Sequence, residues 1–304
     1  MPSLVRTLPK IAALLALAAA FAPRSFAALP EPKFVTVQGN RIQYYDLGQG
    51  DPIVLVHGMA SAAQFDWLRV MEPLAKNHRV IALDQIGFGA SDKPAGPYRI
   101  QTWVDSLGAF LTQLKVDRFT LAGESLGGWI VAQYTTQALT PGSKLPRPVR
   151  LILSDAAGIQ WKVAAPATES KDGTPKPTEV WGGTKENLRA GLGTVFFDKS
   201  AITDDLLDRE LARRNTTRDA PTVKSFSTNP DAQKEVMDAA RLQSIKIPTL
   251  LVWGEKDQIV PLANGKAYAA GIPGAKLVVI PQCGHVPALE KPAEFLAAVT
   301  AFLH

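Results

Sequence analysis

The chain has 304 residues, 46% of them hydrophobic and 20% charged, with a formal net charge of +5. These proportions exclude a disordered chain, a collagen-like fibre and a disulfide-stapled mini-protein; a chain this long buries about three quarters of its unfolded surface without staples. Arg6, Lys10 and Arg24 lie in the first 27 residues with no acid among them, so the remainder carries only +2. With no Lys/Arg stripe interleaved with aromatics, a nucleic-acid partner is not expected.

Arg6 and Lys10 precede the apolar run from Ile11 to Ala22, and Ser25-Phe26-Ala27 puts small residues at the −3 and −1 positions of a cut before Ala28. This is the secretory pattern, so residues 1–27 are expected to be a cleaved export signal and the mature chain to be periplasmic or secreted. The alternative is an uncleaved N-terminal anchor, although the run is short for a helix crossing a bilayer of about 30 Å. The single cysteine, Cys283, cannot pair within its own chain. It is expected to be a small buried apolar residue rather than a redox-sensitive thiol.

Short β-rich runs then alternate with helical patterns, the rhythm of a largely parallel sheet covered by helices. Lys33 to Val37 and Arg41 to Asp46 flank Gly39-Asn40 as an opening hairpin. Continuous apolar runs follow at Ile53 to Val56, Val80 to Leu83, Phe119 to Ala122, Leu151 to Leu153, Thr249 to Trp253 and Leu277 to Ile280, as strands buried on both faces require. Eight strands are therefore expected. Between them, Trp103, Leu107, Phe110, Leu111 and Leu114 repeat at three- and four-residue steps, as do Leu126, Ile130 and Tyr134. Phe295, Leu296, Val299 and Phe302 form a C-terminal amphipathic helix. Residues 158–244 break the rhythm, being rich in Lys, Thr, Pro and Asp with a charged helical stretch near Asp204 to Arg214. They are expected to be a mainly helical cap inserted into a core of residues 28–157 and 245–304.

Gly123-Glu124-Ser125-Leu126-Gly127 fits G-x-S-x-G between an expected strand and an expected helix, the context that gives the motif meaning. A nucleophile on that sharp turn is lifted clear of the sheet, and the helix start behind it offers a free N–H to a developing oxyanion. The hydroxyl needs a base, and the base an orienting acid. Of the four histidines, His285 in Gly284-His285-Val286-Pro287 follows the last strand and is the best-placed base. Asp257, after the strongly apolar strand ending at Trp253, is the chosen acid, with Glu255 and Asp155 as competitors. The second oxyanion donor should come from the exit of the first long strand at Val56-His57-Gly58-Met59. The N–H groups of Met59 and Leu126 are assigned as donors. His57 and Gly58 shape that turn and are counted with the substrate-binding surface, together with Trp161, Trp181, Phe196 and Phe197 of the cap.

His57-Gly58, the segment Asp84 to Pro94 (DQIGFGASDKP), GESLGG from Gly123, WGEKDQIVP from Trp253 and GHVP from Gly284 together resemble the α/β-hydrolase superfamily, most closely its capped esterase, lipase and C–C hydrolase branch. The resemblance covers residues 33–304 apart from the cap and implies a mostly parallel eight-stranded sheet with helices on both faces. It implies a structural role for Asp84 and the loop that follows it. Ser125 departs from relatives that use a carboxylate or a thiol at that position, and Leu126 from proline iminopeptidases, which usually carry Trp there.

The expected reaction is hydrolysis of a small carboxylic ester through an acyl-enzyme on Ser125, with His285 as base, Asp257 as its partner and no metal or organic cofactor. Cleavage of a C–C bond in a vinylogous diketone is the alternative within the same triad. A non-catalytic binding protein on the same scaffold is the alternative outside it. No basic amphipathic helix compels action at a membrane surface, and the oligomeric state does not follow from the sequence.

Overall fold

The computed structural model describes residues 29–159 and 183–304; the expected export signal, Trp161 and Trp181 lie outside the described residues. Eight strands form where apolar runs predict them: β1 (Lys33–Val37), β2 (Asn40–Leu47), β3 (Pro52–Val56), β4 (Arg79–Leu83), β5 (Arg118–Glu124), β6 (Arg147–Ser154), β7 (Thr249–Gly254) and β8 (Lys276–Ile280). They make one sheet in the order β1-β2-β4-β3-β5-β6-β7-β8. β1 and β2 form an antiparallel hairpin whose turn residues, Gln38 and Gly39, both have positive φ, as a tight two-residue turn demands. β2 runs antiparallel to β4, and every later pairing is parallel.

Side chains alternate across the pleat. Ile53 and Leu55 of β3 join one apolar cluster with Val80 and Ala82, while Val54 and Val56 join another with Ile81 and Leu83. Both faces are covered by helices, which explains why the strands read as unbroken apolar runs. The covering elements are α1 (Ala63–Asp66), α2 (Met71–Ala75), α3 (Ile100–Gln113) and α4 (Leu126–Leu139). After β6 come α5 (Lys185–Val195), α6 (Asp204–Thr216), α7 (Ala220–Ser227) and α8 (Ala239–Ser244); α9 (Leu262–Gly271), α10 (Pro287–Glu290) and α11 (Pro292–Leu303) complete the described chain. In α3 the predicted face is buried except at Leu114, which caps the helix and is only partly covered. In α4 the single apolar face predicted from Leu126, Ile130 and Tyr134 understates the burial: all but Gln137 and Leu139 are buried. The sheet lies against one side, and Trp129 Nε1 donates to Glu235 O (2.9 Å) of the inserted segment on another.

Helices α5 to α8 interrupt the alternation between β6 and β7. Leu188, Leu192, Phe196, Leu206 and Leu207 pack with Phe65 and Leu68 after β3 and with Val286 and Leu289 of the α10 region. The charged stretch predicted near Asp204 to Arg214 is helical, but not all of it faces water. Arg213 and Glu210 are buried, with Arg213 held by Glu210 at 2.7 Å and Asp219 at 3.2 Å. Among the described residues no helix is long and apolar enough to cross a membrane.

The strand order places the site. From β3 the chain moves to β4 on one side of it, whereas β5 lies on the other side and leads on to β6. The loops leaving β3 and β5 part at the carboxyl edge of the sheet, and ligands of open α/β sheets bind in the crevice so formed.

Candidate active site

Ser125 sits between the last residue of β5 and the first of α4 with φ 51° and ψ −115°, a backbone that residues with a side chain rarely adopt. The turn is tight because its neighbours have no side chains. A Cβ on Gly123 would lie 2.7 Å from Gly128 N, one on Gly127 2.8 Å from Val56 C, and one on Gly128 2.8 Å from Ala156 Cα. Backbone bonds hold the turn against the end of β6: Ser125 N–H donates to Ser154 O (3.0 Å), and Ala157 N–H donates to Ser125 O (2.9 Å).

The loops after β7 and β8 bring Asp257 and His285 to this turn. Ser125 Oγ is 2.9 Å from His285 Nε2, and His285 Nδ1 is 2.8 Å from Asp257 Oδ2. Ionised Asp257 can only accept, so the ring proton lies on Nδ1 and Nε2 is left to accept from the serine hydroxyl. Burial works against the charge on Asp257, but the adjoining His285, hydrogen bonds from His285 and Asp155, and the Val260 N–H outweigh it and hold the carboxyl below its usual range. Asp155, weighed in the sequence as an alternative acid, stands behind Asp257. Its Oδ1 accepts Gly254 N–H (3.0 Å), and burial, then the charge of Asp257, push its carboxyl well above the usual range. Of the two acids, Asp155 is thus the one that holds a proton more firmly. Glu255 is turned to the loop surface, where it accepts Gln282 N–H at 3.3 Å. Asp155, Asp257 and His285 each bring one atom within 4.8 Å of the others, a spacing open to a metal as well as to a shared proton.

The loop after β3 forms the opposite wall. His57 requires a correction. Its Nε2 accepts Gln85 N–H (3.0 Å), its Nδ1 is 2.7 Å from Gly58 O, and burial pushes it down to about 3, so it is a neutral brace of the turn and not a substrate-binding surface. Gly58 gives its N–H to Asp66 Oδ2 (2.7 Å), and a Cβ there would lie 3.2 Å from Ser125 Cβ. It lets the loop approach the serine rather than contacting ligand through its own amide. Met59 follows it, and Leu126, as the first residue of α4, has an N–H with no intrahelical acceptor. Arg213 of α6 donates to Ala60 O (3.1 Å), tying the inserted helices to this loop.

The two described aromatics expected to belong to a cap separate. Phe196 is buried in the apolar cluster that α5 and α6 share with Phe65, Leu68, Val286 and Leu289, which removes it from the expected pocket lining, whereas Phe197 is 43% exposed. The segment carrying them is latched to the histidine loop. Val195 O accepts His285 N–H (2.8 Å), and the Glu290 carboxylate accepts N–H groups of Gly284 (2.8 Å) and Asp198 (2.7 Å). Cys283 is buried, and burial followed by nearby Glu290 pushes its thiol up, as the apolar reading predicts.

Sequence reasoning missed Glu124 and Asp66. Both are buried, and their carboxyls share a hydrogen bond. Asp66 also accepts Ser61 Oγ–H at 2.5 Å. Burial, then the charge of Asp66, push Glu124 well above the usual range. The signal for Glu124 was its place inside the serine motif; Asp66 carried none.

Compared with known proteins, residues 51–292 match the family described as alpha/beta hydrolase fold. The chain is 32% identical over 280 residues to a 2-hydroxymuconate semialdehyde hydrolase of a Pseudomonas species, covering 88% of this chain and 92% of that protein. It is 30% identical over 282 residues to a 2-hydroxy-6-oxo-2,4-heptadienoate hydrolase of Pseudomonas putida, covering 89% and 95%. Among solved structures, the meta-cleavage product hydrolase CumD superposes with a TM-score of 0.72 at 28% identity, covering 89% of this chain and 97% of that one. A membrane phospholipase A described as a bacterial virulence factor superposes with a TM-score of 0.71 at 28% identity, covering 96% and 91%. With its eight-stranded, mostly parallel sheet and this match over most of its length, the chain belongs to the α/β-hydrolase fold family.

Proposed function

We propose that this hydrolase acts through Ser125 as nucleophile, His285 as general base and Asp257 as the acid that orients it. The observation that carries the reading is the unbroken hydrogen-bonded chain from Ser125 Oγ through both ring nitrogens of His285 to Asp257. As Oγ attacks a substrate carbonyl, its proton passes to Nε2. The N–H groups of Met59 and Leu126 receive the oxyanion, and the imidazolium hands the proton to the leaving group. Water activated by His285 then releases the acyl group. Helices α5 to α8 are the cap over this site, supported by the bonds from Arg213 to Ala60 O and from His285 N–H to Val195 O.

For the bond cleaved, the named relatives support the C–C alternative above the ester first expected from the sequence. A ketone gives up a carbon leaving group only where the departing electron pair is delocalised. In a 2-hydroxy-6-oxo-2,4-dienoate, transfer of the 2-hydroxyl proton to C5 gives a 2-oxo-3-ene, so addition at C6 can break the C5–C6 bond with its electron pair passing through C4 and C3 to the C2 oxygen, which takes up the proton. We therefore assign hydrolysis of an aliphatic ring-fission product of this class. The test is loss of the visible absorbance of 2-hydroxy-6-oxo-2,4-heptadienoate with wild type and Ser125→Ala. No turnover by wild type, or equal turnover by both, ends the assignment.

Ester hydrolysis is the second reading, favoured by the likeness to the membrane phospholipase A, which extends over 96% of the chain. It needs no carbon sink and the same three side chains. Greater kcat/KM on p-nitrophenyl esters than on the ring-fission product would select it. Failure of a fluorophosphonate to label Ser125 would defeat both readings and leave a silent binding protein.

A further inference from the structure

Glu124 is 2% exposed, and among the described residues its Oε1 has no hydrogen-bond partner. That atom lies 3.5 Å from His285 Nε2. In the resting enzyme Nε2 accepts the Ser125 hydroxyl at 2.9 Å, so it has no hydrogen to offer and an acceptor faces an acceptor. A buried oxygen left this way has lost its water and gained nothing. The situation changes at one moment only, when the serine proton arrives on Nε2 and creates an N–H within reach of both Oγ and Oε1.

We infer that Glu124 is a positioning residue for the reaction: its Oε1 is the second acceptor for the His285 Nε2–H that forms when Ser125 gives up its proton. This rests on the proton transfer of the proposed function and deepens it. The contact is absent in the ground state and present in the transition states for forming and breaking the acyl-enzyme, so it raises kcat and leaves substrate affinity alone.

The surroundings of Glu124 suit this task. Asp66 accepts Gly58 N–H and Ser61 O–H, and its remaining hydrogen bond is shared with Glu124. With two donors already fixed on Asp66, Glu124 supplies the proton between the carboxyls. Neutral Glu124 offers Nε2 an oxygen without a full negative charge. An ionised Glu124 would instead compete for the proton and hold His285 as an imidazolium before substrate arrived, disabling it as a base. The proton count balances: Ser125 loses one, His285 carries it to the leaving group, and Glu124 keeps its own throughout.

The experiment compares wild type, E124Q and E124M as full-length enzymes on p-nitrophenyl acetate, an activated ester that acylates serine under either substrate reading. Active sites are counted by fluorophosphonate titration, so kcat refers to competent molecules. The Gln amide can donate to Asp66 and turn its oxygen to Nε2, so E124Q stays within about fivefold of wild type, while E124M, which has no acceptor, loses kcat by about 10- to 100-fold with KM within about twofold. The inference is overturned if E124Q falls as far as E124M, if the loss in E124M lies in KM, or if kcat per titrated site is unchanged. E124A is read in the same way where E124M does not fold. An unlabelled Ser125 in wild type would be a different failure, that of the proposed function itself.

Discussion

Asp155 and Asp257 lie side by side in the buried floor of the site, and their surroundings push the two carboxyls apart, Asp155 above the usual range through burial and Asp257 below it through His285. Only Asp257 meets His285, at 2.8 Å, so the two acids that the sequence left in competition hold different posts. Asp257→Asn removes the charge that balances the imidazolium and turns a donor toward Nδ1, which favours the wrong tautomer. Its kcat should fall by about 10⁴-fold, the size of the same change in a serine protease triad. Asp155→Asn keeps a donor for Asp257 and should stay within about tenfold, because an amide imitates the protonated acid. Steady-state kinetics on the two variants check this, and the reverse ranking would reassign the acid.

Buried neutral carboxyls give this protein an unusual pH dependence of stability. Asp155 and Glu124 are both raised well above the usual range, first by burial. In the unfolded chain such groups release their protons near pH 4, so above that pH the folded state binds more protons than the unfolded one. Their stabilisation is complete below about pH 4 and is lost as pH rises through their folded values. Asp257 acts oppositely: its lowered carboxyl adds stability at neutral pH that disappears in acid. The thermal midpoint of wild type should therefore decline as pH rises above about 5, and Asp155→Asn should flatten the decline. A variant declining as steeply as wild type would mean that Asp155 is ionised in the folded protein.

Ser125 pays in backbone strain for its exposed hydroxyl. Its φ of 51° with ψ −115° belongs to the backbone space where only glycine is at ease, and such a residue costs about 1–3 kcal/mol. Ser125→Gly and Ser125→Ala both remove the nucleophile, so both should be inactive. They should differ in stability, with the glycine variant more stable by about 1 kcal/mol after its extra unfolded-state entropy is subtracted. Urea unfolding of the pair measures the difference. Equal stability would show that the turn is not strained.

Local chemistry explains what the sequence disclosed. Strands buried on both faces must be continuously apolar, and Ile53 to Val56 or Leu250 to Trp253 have no other explanation as compact as this. Ser125 and His285 stood out because glycines at 123, 127 and 284 mark turns that backbone crowding imposes. What stayed hidden depends on contacts distant in the chain. Asp66 looks like any acid in a short helix until Glu124, 58 residues later, folds beside it. His57 has the look of a ligand-facing residue until Gln85 occupies its second nitrogen. Phe196 and Phe197 are neighbours of equal hydrophobicity, and only the packing of α5 and α6 decides which one is buried.

Arg213 illustrates the same limit and supplies a last test. It lies in a run of charges, as a solvated helix face would, yet it is buried against Glu210 and Asp219 and donates to Ala60 O, one residue beyond Met59. Breaking a buried ion pair by removing one partner typically costs about 3–5 kcal/mol, because the other charge is stranded. Here Arg214 also holds Glu210, at 2.6 Å, so Arg213→Met should cost about 3 kcal/mol, the lower end of that range. The double change Glu210→Leu with Arg213→Met removes both buried charges and should recover part of the loss. Activity should not recover with it. Ala60 O has lost its shorter donor in both variants and keeps only Arg214 Nη2 at 3.5 Å, so the loop bearing the Met59 N–H is held to α6 more weakly. Both variants should therefore show kcat per folded molecule lowered by about tenfold, consistent with a loosened oxyanion donor. If the double variant regains stability and activity together, Arg213 serves the packing of the inserted helices and not the placement of Met59.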